Sequence, residues 1–200
     1  MRARLRHATH AHHVRLNEHP LLHELTQGEL SPGAYRLLLR AYLQLYSLLE
    51  ARIHHYLEKV SCAFHYAERN KLPWLIRDLE FFHEELPVVD ALSWDFPVIE
   101  NMAQLIGVLY TLEGSTLGGQ HISRCLAKSH GLTVDSGACF FNGYGERTQA
   151  MWQVFLDFAE SLPVDDCGEA ARSASQVFEL FERVLGDLPS RECETRQVNV

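Results

Sequence analysis

Two short stretches of this chain hold residues whose types and spacing can do chemistry. Near the start, Arg6, His10, His12 and His13 set a guanidinium beside three imidazoles. A neutral imidazole is the commonest protein ligand for a metal ion. In the middle, residues 107–120 read GVLYTLEGSTLGGQ. Here Gly114, Gly118 and Gly119 interrupt an amphipathic run in which Val98, Met102, Leu105, Leu109 and Leu112 recur at helical spacing. Each glycine inside a helix costs roughly 1 kcal/mol relative to alanine. The set therefore costs about 3 kcal/mol, a large share of a domain's net stability. The spacing i, i+4, i+5 leaves one side of the helix bare. A second helix can pack closely there, or a flat ligand can lie on the backbone under a helix kinked at the glycines. Spacing alone leaves both readings open.

The elements that must position these residues are helical. A first helix is expected over about residues 3–18, with Leu5, Ala8, His12 and Leu16 on one face. Arg6, His10, His13 and Asn17 share the adjacent face. Periodicity thus points His12 at the core and leaves the choice of ligand among His10, His12 and His13 open. A short helix from about Leu21 to Leu25 follows. Ser31-Pro32 reads as an N-cap with proline at the first helical position. A long helix should then run from Pro32 to about Tyr66, its stripe formed by Tyr35, Leu38, Tyr42, Leu45, Leu49, Ile53, Tyr56 and Val60. Pro73 opens another, with Leu75, Ile76, Leu79, Phe82 and Leu86 inward and Pro87 as its end. Val88 to Phe96 reads as a loop, and Pro97 as the start of the glycine-bearing helix, which continues through Ile122 and Leu126. Residues 130–147 are glycine-rich and irregular. Met151, Val154, Phe155 and Phe158 mark a further helix, Pro163 to Gly168 an acidic loop, and residues 169–186 a last helix presenting Ala174, Val177, Phe178, Phe181, Val184 and Leu185.

No strand-like alternation stands out, so the expected fold class is all-α. One helical domain over residues 1–187 and a polar tail over 188–200, expected to be disordered, account for the 200 residues. Hydrophobic residues at 46% and charged residues at 22% are an ordinary globular composition. A formal net charge of -8 argues against nucleic-acid binding. The basic start has no apolar run after it, which is not a secretory signal, and no stretch reaches the roughly 20 apolar residues of a membrane span. Cys62, Cys125, Cys139, Cys167 and Cys193 are odd in number and scattered, as expected for reduced thiols in a cytoplasmic protein.

The stretch LYTLEGSTLGGQ closely resembles the distal-helix motif of the bacterial, biliverdin-forming haem oxygenases. The opening LRHATHAHHVRL, residues 5–16, looks like that family's start, and the histidine in register with the proximal ligand is His13. The resemblance implies haem as cofactor and substrate, with iron bound by His13 and the helix at Gly114, Gly118 and Gly119 crossing the haem face. It puts Arg6 and His10 at the haem propionates, and Arg147, in a loosely aligned aromatic-glycine segment, at a propionate as well. His121, beside the motif, is not implied as a ligand. The implied reaction is oxidative opening of haem by O2 and reducing equivalents to biliverdin, carbon monoxide and iron. An external electron donor of ferredoxin or flavoprotein type is implied, with a biliverdin acceptor such as a bacteriophytochrome as a further partner. Gly114, Ser115 and Gly118 would form the distal wall. Animal-type enzymes carry an aspartate where this chain has Ser115, so proton delivery falls to Ser115 with water, to Glu113, or to another group. Other readings are a haem-binding or trafficking protein of the same fold without turnover, a thiaminase-like hydrolase on the same scaffold, and a helical module in which the glycines serve packing alone.

Overall fold

The computed structural model describes residues 1–62, 64–87, 95–161 and 166–188. Among them the chain is helical, in the order α1 (Arg2–Glu18), α2 (Pro20–Gln27), α3 (Pro32–Leu57), α4 (Leu72–Phe81), α5 (Met102–His130), α6 (Cys139–Asn142), α7 (Thr148–Glu160) and α8 (Cys167–Gly186). Single 3-10 turns at Ala67–Arg69 and Gly145–Arg147 punctuate the connections. The polar tail, most of the 88–96 loop and part of the acidic loop lie outside the described residues.

α5 and α8 form the central pair, and α1 lies along α8 as well. The pairing is close because Gly107 faces α8 without a side chain. A Cβ there would sit 2.3 Å from the Ala170 carbonyl oxygen and 2.9 Å from the Ala174 nitrogen. Thr111 Oγ1, one turn on, donates to the Ala174 carbonyl at 3.3 Å. α8 buries Ala170, Ala174, Val177, Phe178, Phe181, Val184 and Leu185, the face that periodicity predicts.

Several ends differ from their sequence expectations, each for a tertiary reason. α3 stops at Leu57, not near Tyr66. Lys59 N donates to the Tyr56 carbonyl in a tight last turn, and the chain then folds back so that Tyr66 Oη reaches Glu50 Oε1 at 3.1 Å. α4 stops at Phe81, short of Leu86, which is exposed. His83 takes a φ of 55°, Glu84 N caps the Leu79 carbonyl, and Arg36 and Arg40 of α3 draw the Glu84 carboxylate away at 3.1 and 3.3 Å. α5 starts at Met102 and not at Pro97, because Asn101 Oδ1 accepts from Gln104 N at 3.0 Å, while Arg52 of α3 holds the Pro97 carbonyl at 2.9 Å. Val98 and Val154, expected inward, are exposed. α7 turns Trp152, Leu156 and Ala159 inward beside Met151 and Phe155. α5 runs through the glycines as one helix from Met102 to His130, as expected, while the kink expected at the glycines is not confirmed.

Ser31 caps α3 as expected, its Oγ accepting from Ala34 N at 3.2 Å. Cys62, Cys125, Cys139 and Cys167 are free thiols. Among the described residues, no helix is long and apolar enough to cross a membrane.

The α5–α8 seam yields a stability prediction. Gly107→Ala drives a methyl group into the backbone of α8, which cannot yield as a flexible side chain would. Denaturant unfolding should show a loss of about 1–3 kcal/mol, where the same change at an open helical position gains stability.

Candidate functional site

α1 and α5 both rest on α8, and a cleft of about 570 Å³ opens beside them. From α1 it is lined by Arg2, Arg6, Thr9, His10, His13, Leu16 and Asn17. From α5 come Tyr110, Thr111 and the stretch Gly114 to Gly119. Tyr42 and Tyr46 of α3, Trp74 of α4, Phe140 and Phe141 of α6, Trp152 of α7, and Phe178 and Phe181 of α8 make the wall largely aromatic, and Lys71, Leu22 and Ile122 complete the lining. Five of these rings interlock: Tyr42 and Tyr46 each meet Phe140 and Phe181 at centroid separations of 5.3–6.0 Å, and Phe140 meets Phe141 at 5.1 Å.

The two neighbouring histidines of α1 go different ways. His12 is turned into the α1–α8 seam, with Nδ1 3.0 Å from Glu182 Oε1 and its ring stacked on Phe178. Arg15 Nε donates to the same Glu182 oxygen at 3.1 Å. His13 is exposed to the cleft, its ring 6.4 Å from that of Phe178 and its Nδ1 3.0 Å from the Asn17 amide. The face reading of α1 therefore holds, His12 toward the helix partner and His13 on the side shared with Arg6, His10 and Asn17.

The glycines divide between the two readings that their spacing left open. An added Cβ at Gly118 would meet nothing within 4 Å, and at Gly114 only the Trp152 ring at 3.8 Å. Those two leave the cleft-facing side of α5 bare. Gly119 lines the cleft too, but a Cβ there would lie 2.7 Å from the Phe141 carbonyl oxygen, so its glycine is required for packing. Gly107 is purely a packing residue.

Ser115 is exposed to the cleft. Its hydroxyl donates to the Leu112 carbonyl at 2.9 Å, and Tyr46 Oη lies 3.5 Å from its oxygen. Burial pushes the Tyr46 phenol well above its ordinary value, so it stays protonated and serves as a donor. Glu113 is not available to the cleft. It is 1% exposed and fully engaged: Arg69 Nη1 donates to Oε2 at 2.5 Å, Lys71 Nζ donates to Oε1 at 2.8 Å, and Tyr144 Oη lies 3.0 Å from both oxygens. Burial and the adjacent Glu113 carboxylate push the Tyr144 phenol upward. Of the candidates for proton delivery, Glu113 is thus sealed off and Ser115 faces the cleft. Nothing local in the sequence marks Arg69 or Lys71, which sit in the break between α3 and α4.

Arg147 is not brought to the cleft. Its guanidinium lies against Met151 Sδ at 3.4 Å and Glu68 at 3.7 Å, on the 3-10 turn that leads into α7. His121 also faces elsewhere, 3.2 Å from the Thr26 carbonyl of α2. Asn17, Tyr46 and the Phe140–Phe141 pair were not singled out as site residues. Asn17 was legible on the face shared with His13, whereas Tyr46 reads in sequence as one more core position.

The family model described as "Heme oxygenase" matches residues 1–187, so the chain belongs to the haem oxygenase family. Solved structures agree in fold. Haem oxygenase from Leptospira interrogans superposes with a TM-score of 0.73 at 20% identity, covering 92% of this chain and 97% of that one. The NO- and CO-bound haem oxygenase from Neisseria meningitidis gives 0.70 at 21% identity, covering 99% and 94%. Haem oxygenase-1 from the cyanobacterium Synechocystis in complex with haem gives 0.71 at 17%, covering 96% and 94%. A search of curated proteins returns no match.

Asp78 of α4 supports the aromatic wall and supplies a pH test. It is fully buried and accepts from Cys139 N at 2.7 Å and Phe140 N at 2.8 Å, which ties α6 to α4. Burial pushes its carboxyl up from 3.8 to about 6, and the two N–H donors only partly oppose this. Because the folded value lies above the unfolded one, the folded state holds the extra proton. The resulting stabilisation is full below pH 3.8 and is lost as pH rises through about 6. The stability difference between wild type and Asp78→Asn should therefore shift by about 2–3 kcal/mol against the wild type between the two limits. Paired denaturant titrations across that range check it. The glycines give a second contrast. Gly118→Ala should be neutral or stabilising by up to about 1 kcal/mol, whereas Gly119→Ala should destabilise by about 1–3 kcal/mol in the same assay.

Proposed function

We propose that this chain binds haem with His13 as the iron ligand and, given dioxygen and electrons, opens it to biliverdin, carbon monoxide and iron. The observation that carries the reading is one cleft lined both by an exposed imidazole of α1 and by a side-chain-free face of α5. The residues present fit the group. The volume suits a cofactor, the walls are aromatic, and at Gly118 a flat ring system can lie on the helix backbone. Arg6 and His10 line the same side of α1 as His13 and are placed to meet carboxylates at the ligand's edge, with Arg2 a turn beyond.

Bound haem supplies both the iron that takes oxygen and the ring that is cut. The chain's own residues do the rest. Asn17 Nδ2 lies 3.0 Å from His13 Nδ1; with that amide's nitrogen and oxygen exchanged, His13 Nδ1 would donate to the oxygen and leave its Nε2 lone pair for a metal. Phe178 packs beside the imidazole and limits its rotation. Gly114 and Gly118 would leave room for a small molecule on the α5 side of the cleft, and the helix turns around them would restrict its orientation. Ser115 spends its own hydrogen on the Leu112 carbonyl, so its lone pairs face the cleft and Tyr46 Oη, which stays protonated, is the neighbouring donor. Electrons come from a ferredoxin- or flavoprotein-type partner, and the adjoining groove along α1, which adds His7 to the Arg2, Arg6 and His10 of the cleft edge, suits an acidic one. A bilin acceptor such as a bacteriophytochrome completes the proposed setting.

Ser115 favours one second reading, a haem carrier without turnover, because a hydroxyl holds no carboxylate charge near the iron. The test is an absorption time course with hemin, reductant, air and catalase. Loss of the haem band with growth of a biliverdin band is the expected result, whereas a stable complex with every reductase tried favours the carrier. His13→Ala should remove the histidine-ligated haem spectrum. His12→Ala should keep the haem spectrum and lose about 1–2 kcal/mol of stability through the α1–α8 seam. The reverse pattern would overturn the assignment.

A further inference from the structure

α5 carries three glycines within six residues yet remains helical from Met102 to His130. The chain that follows it, residues 139–148, lies beside that stretch and holds it at both ends. On the N-terminal side, Tyr144 Oη donates to the Glu113 carboxylate at 3.0 Å. On the C-terminal side, Gln120 Nε2 donates to the Asn142 carbonyl at 2.6 Å and to Thr148 Oγ1 at 3.2 Å. Between the two, the Phe141 carbonyl oxygen occupies the place of a Gly119 side chain. Gly143 and Gly145, with φ of 55° and 57°, turn the chain so that Asn142 and Tyr144 both reach α5.

We infer that residues 139–148 are a splint for the glycine stretch, and that Tyr144 and Gln120 are positioning residues for the bare wall of the cleft. The bare face needs glycines, and glycines weaken the helix. Bonds between residues that do not line the cleft, Tyr144 with Glu113 and Gln120 with Asn142 and Thr148, restore the rigidity without placing a further side chain in it. Neither Tyr144 nor Gln120 lines the cleft. Each bond terminates on α5 within a turn of a glycine, so loosening the splint frees the wall while leaving its surface chemistry intact. The consequence for ligand retention rests on the haem reading, whereas the splint itself does not.

The test is hydrogen exchange by mass spectrometry on the full-length protein without hemin, comparing wild type with Tyr144→Phe, Gln120→Ala and the double variant. Tyr144→Phe keeps the ring against Trp74, its partner at 5.3 Å, so the variants are expected to fold. In the double variant, exchange across residues 112–120 should quicken about tenfold while α3 and α8 stay within about twofold of wild type. Hemin release, followed by capture in excess apomyoglobin, should quicken about threefold or more. Unchanged exchange in α5, or equal acceleration in α3, α5 and α8, would overturn the splint. Local acceleration with unchanged hemin release would overturn the positioning role. Local acceleration in a protein whose wild type takes up no hemin would uphold the splint and remove the haem reading.

Discussion

The buried carboxylate of Glu113 is the interaction on which the rest of the site depends. It sits on α5 immediately before the first cleft-facing glycine and collects Arg69 and Lys71 from the α3–α4 connection and Tyr144 from the segment before α7. An unpaired carboxylate this deep would cost several kcal/mol. Its neutralisation is therefore not optional, and it compels three distant pieces of chain to converge at one height along α5. Glu50 of α3 extends the cluster, accepting from Lys71 N at 2.6 Å and Tyr66 Oη at 3.1 Å, so that two carboxylates balance two cations. Burial raises the Glu50 carboxyl, and the backbone donors around it act the other way.

The cleft exists because the neighbouring helices are held apart by a third. α8 fits its small residues against Gly107 of α5 on one side and takes α1 on the other, through His12, Arg15 and Glu182. What remains between α1 and the glycine face of α5 is walled by rings that already have partners of their own. A wall assembled from interlocked aromatics resists collapse into the space, and Asp78 pins its α6 portion from behind.

One helix meets two opposed demands. α5 must present a backbone-only surface toward the cleft, and it must persist as a helix with glycines that favour unfolding. Gly114 and Gly118 meet the first demand. Gly119 meets the second, since its missing side chain admits the Phe141 carbonyl and lets the adjacent segment press close. Close packing requires Gly107 and Gly119, whereas Gly114 and Gly118 leave open space against the cleft.

Much of this was legible in the amino-acid sequence. The helical class, the inward face of α8, the Ser31 cap, the separation of His12 from His13 and the glycine stretch all follow from local spacing, because a helix repeats every 3.6 residues whatever surrounds it. The paired motifs, His13 with its basic neighbours and GSTLGG, also carried the family resemblance. Helix ends were less legible. Those of α3, α4 and α5 are set by Glu50, by Arg36 and Arg40, and by Asn101 with Arg52, which are partners distant in the chain or caps that compete with proline. The destination of Arg147 against Glu68 and the sealing of Glu113 by Arg69 and Lys71 were decided by tertiary structure alone. Each depends on which groups meet across the fold, and local periodicity holds no record of that. By itself the sequence determined which residues face the same way. The fold decided which of those faces meet, because burial of charge and close backbone contact are settled only when separate segments come together.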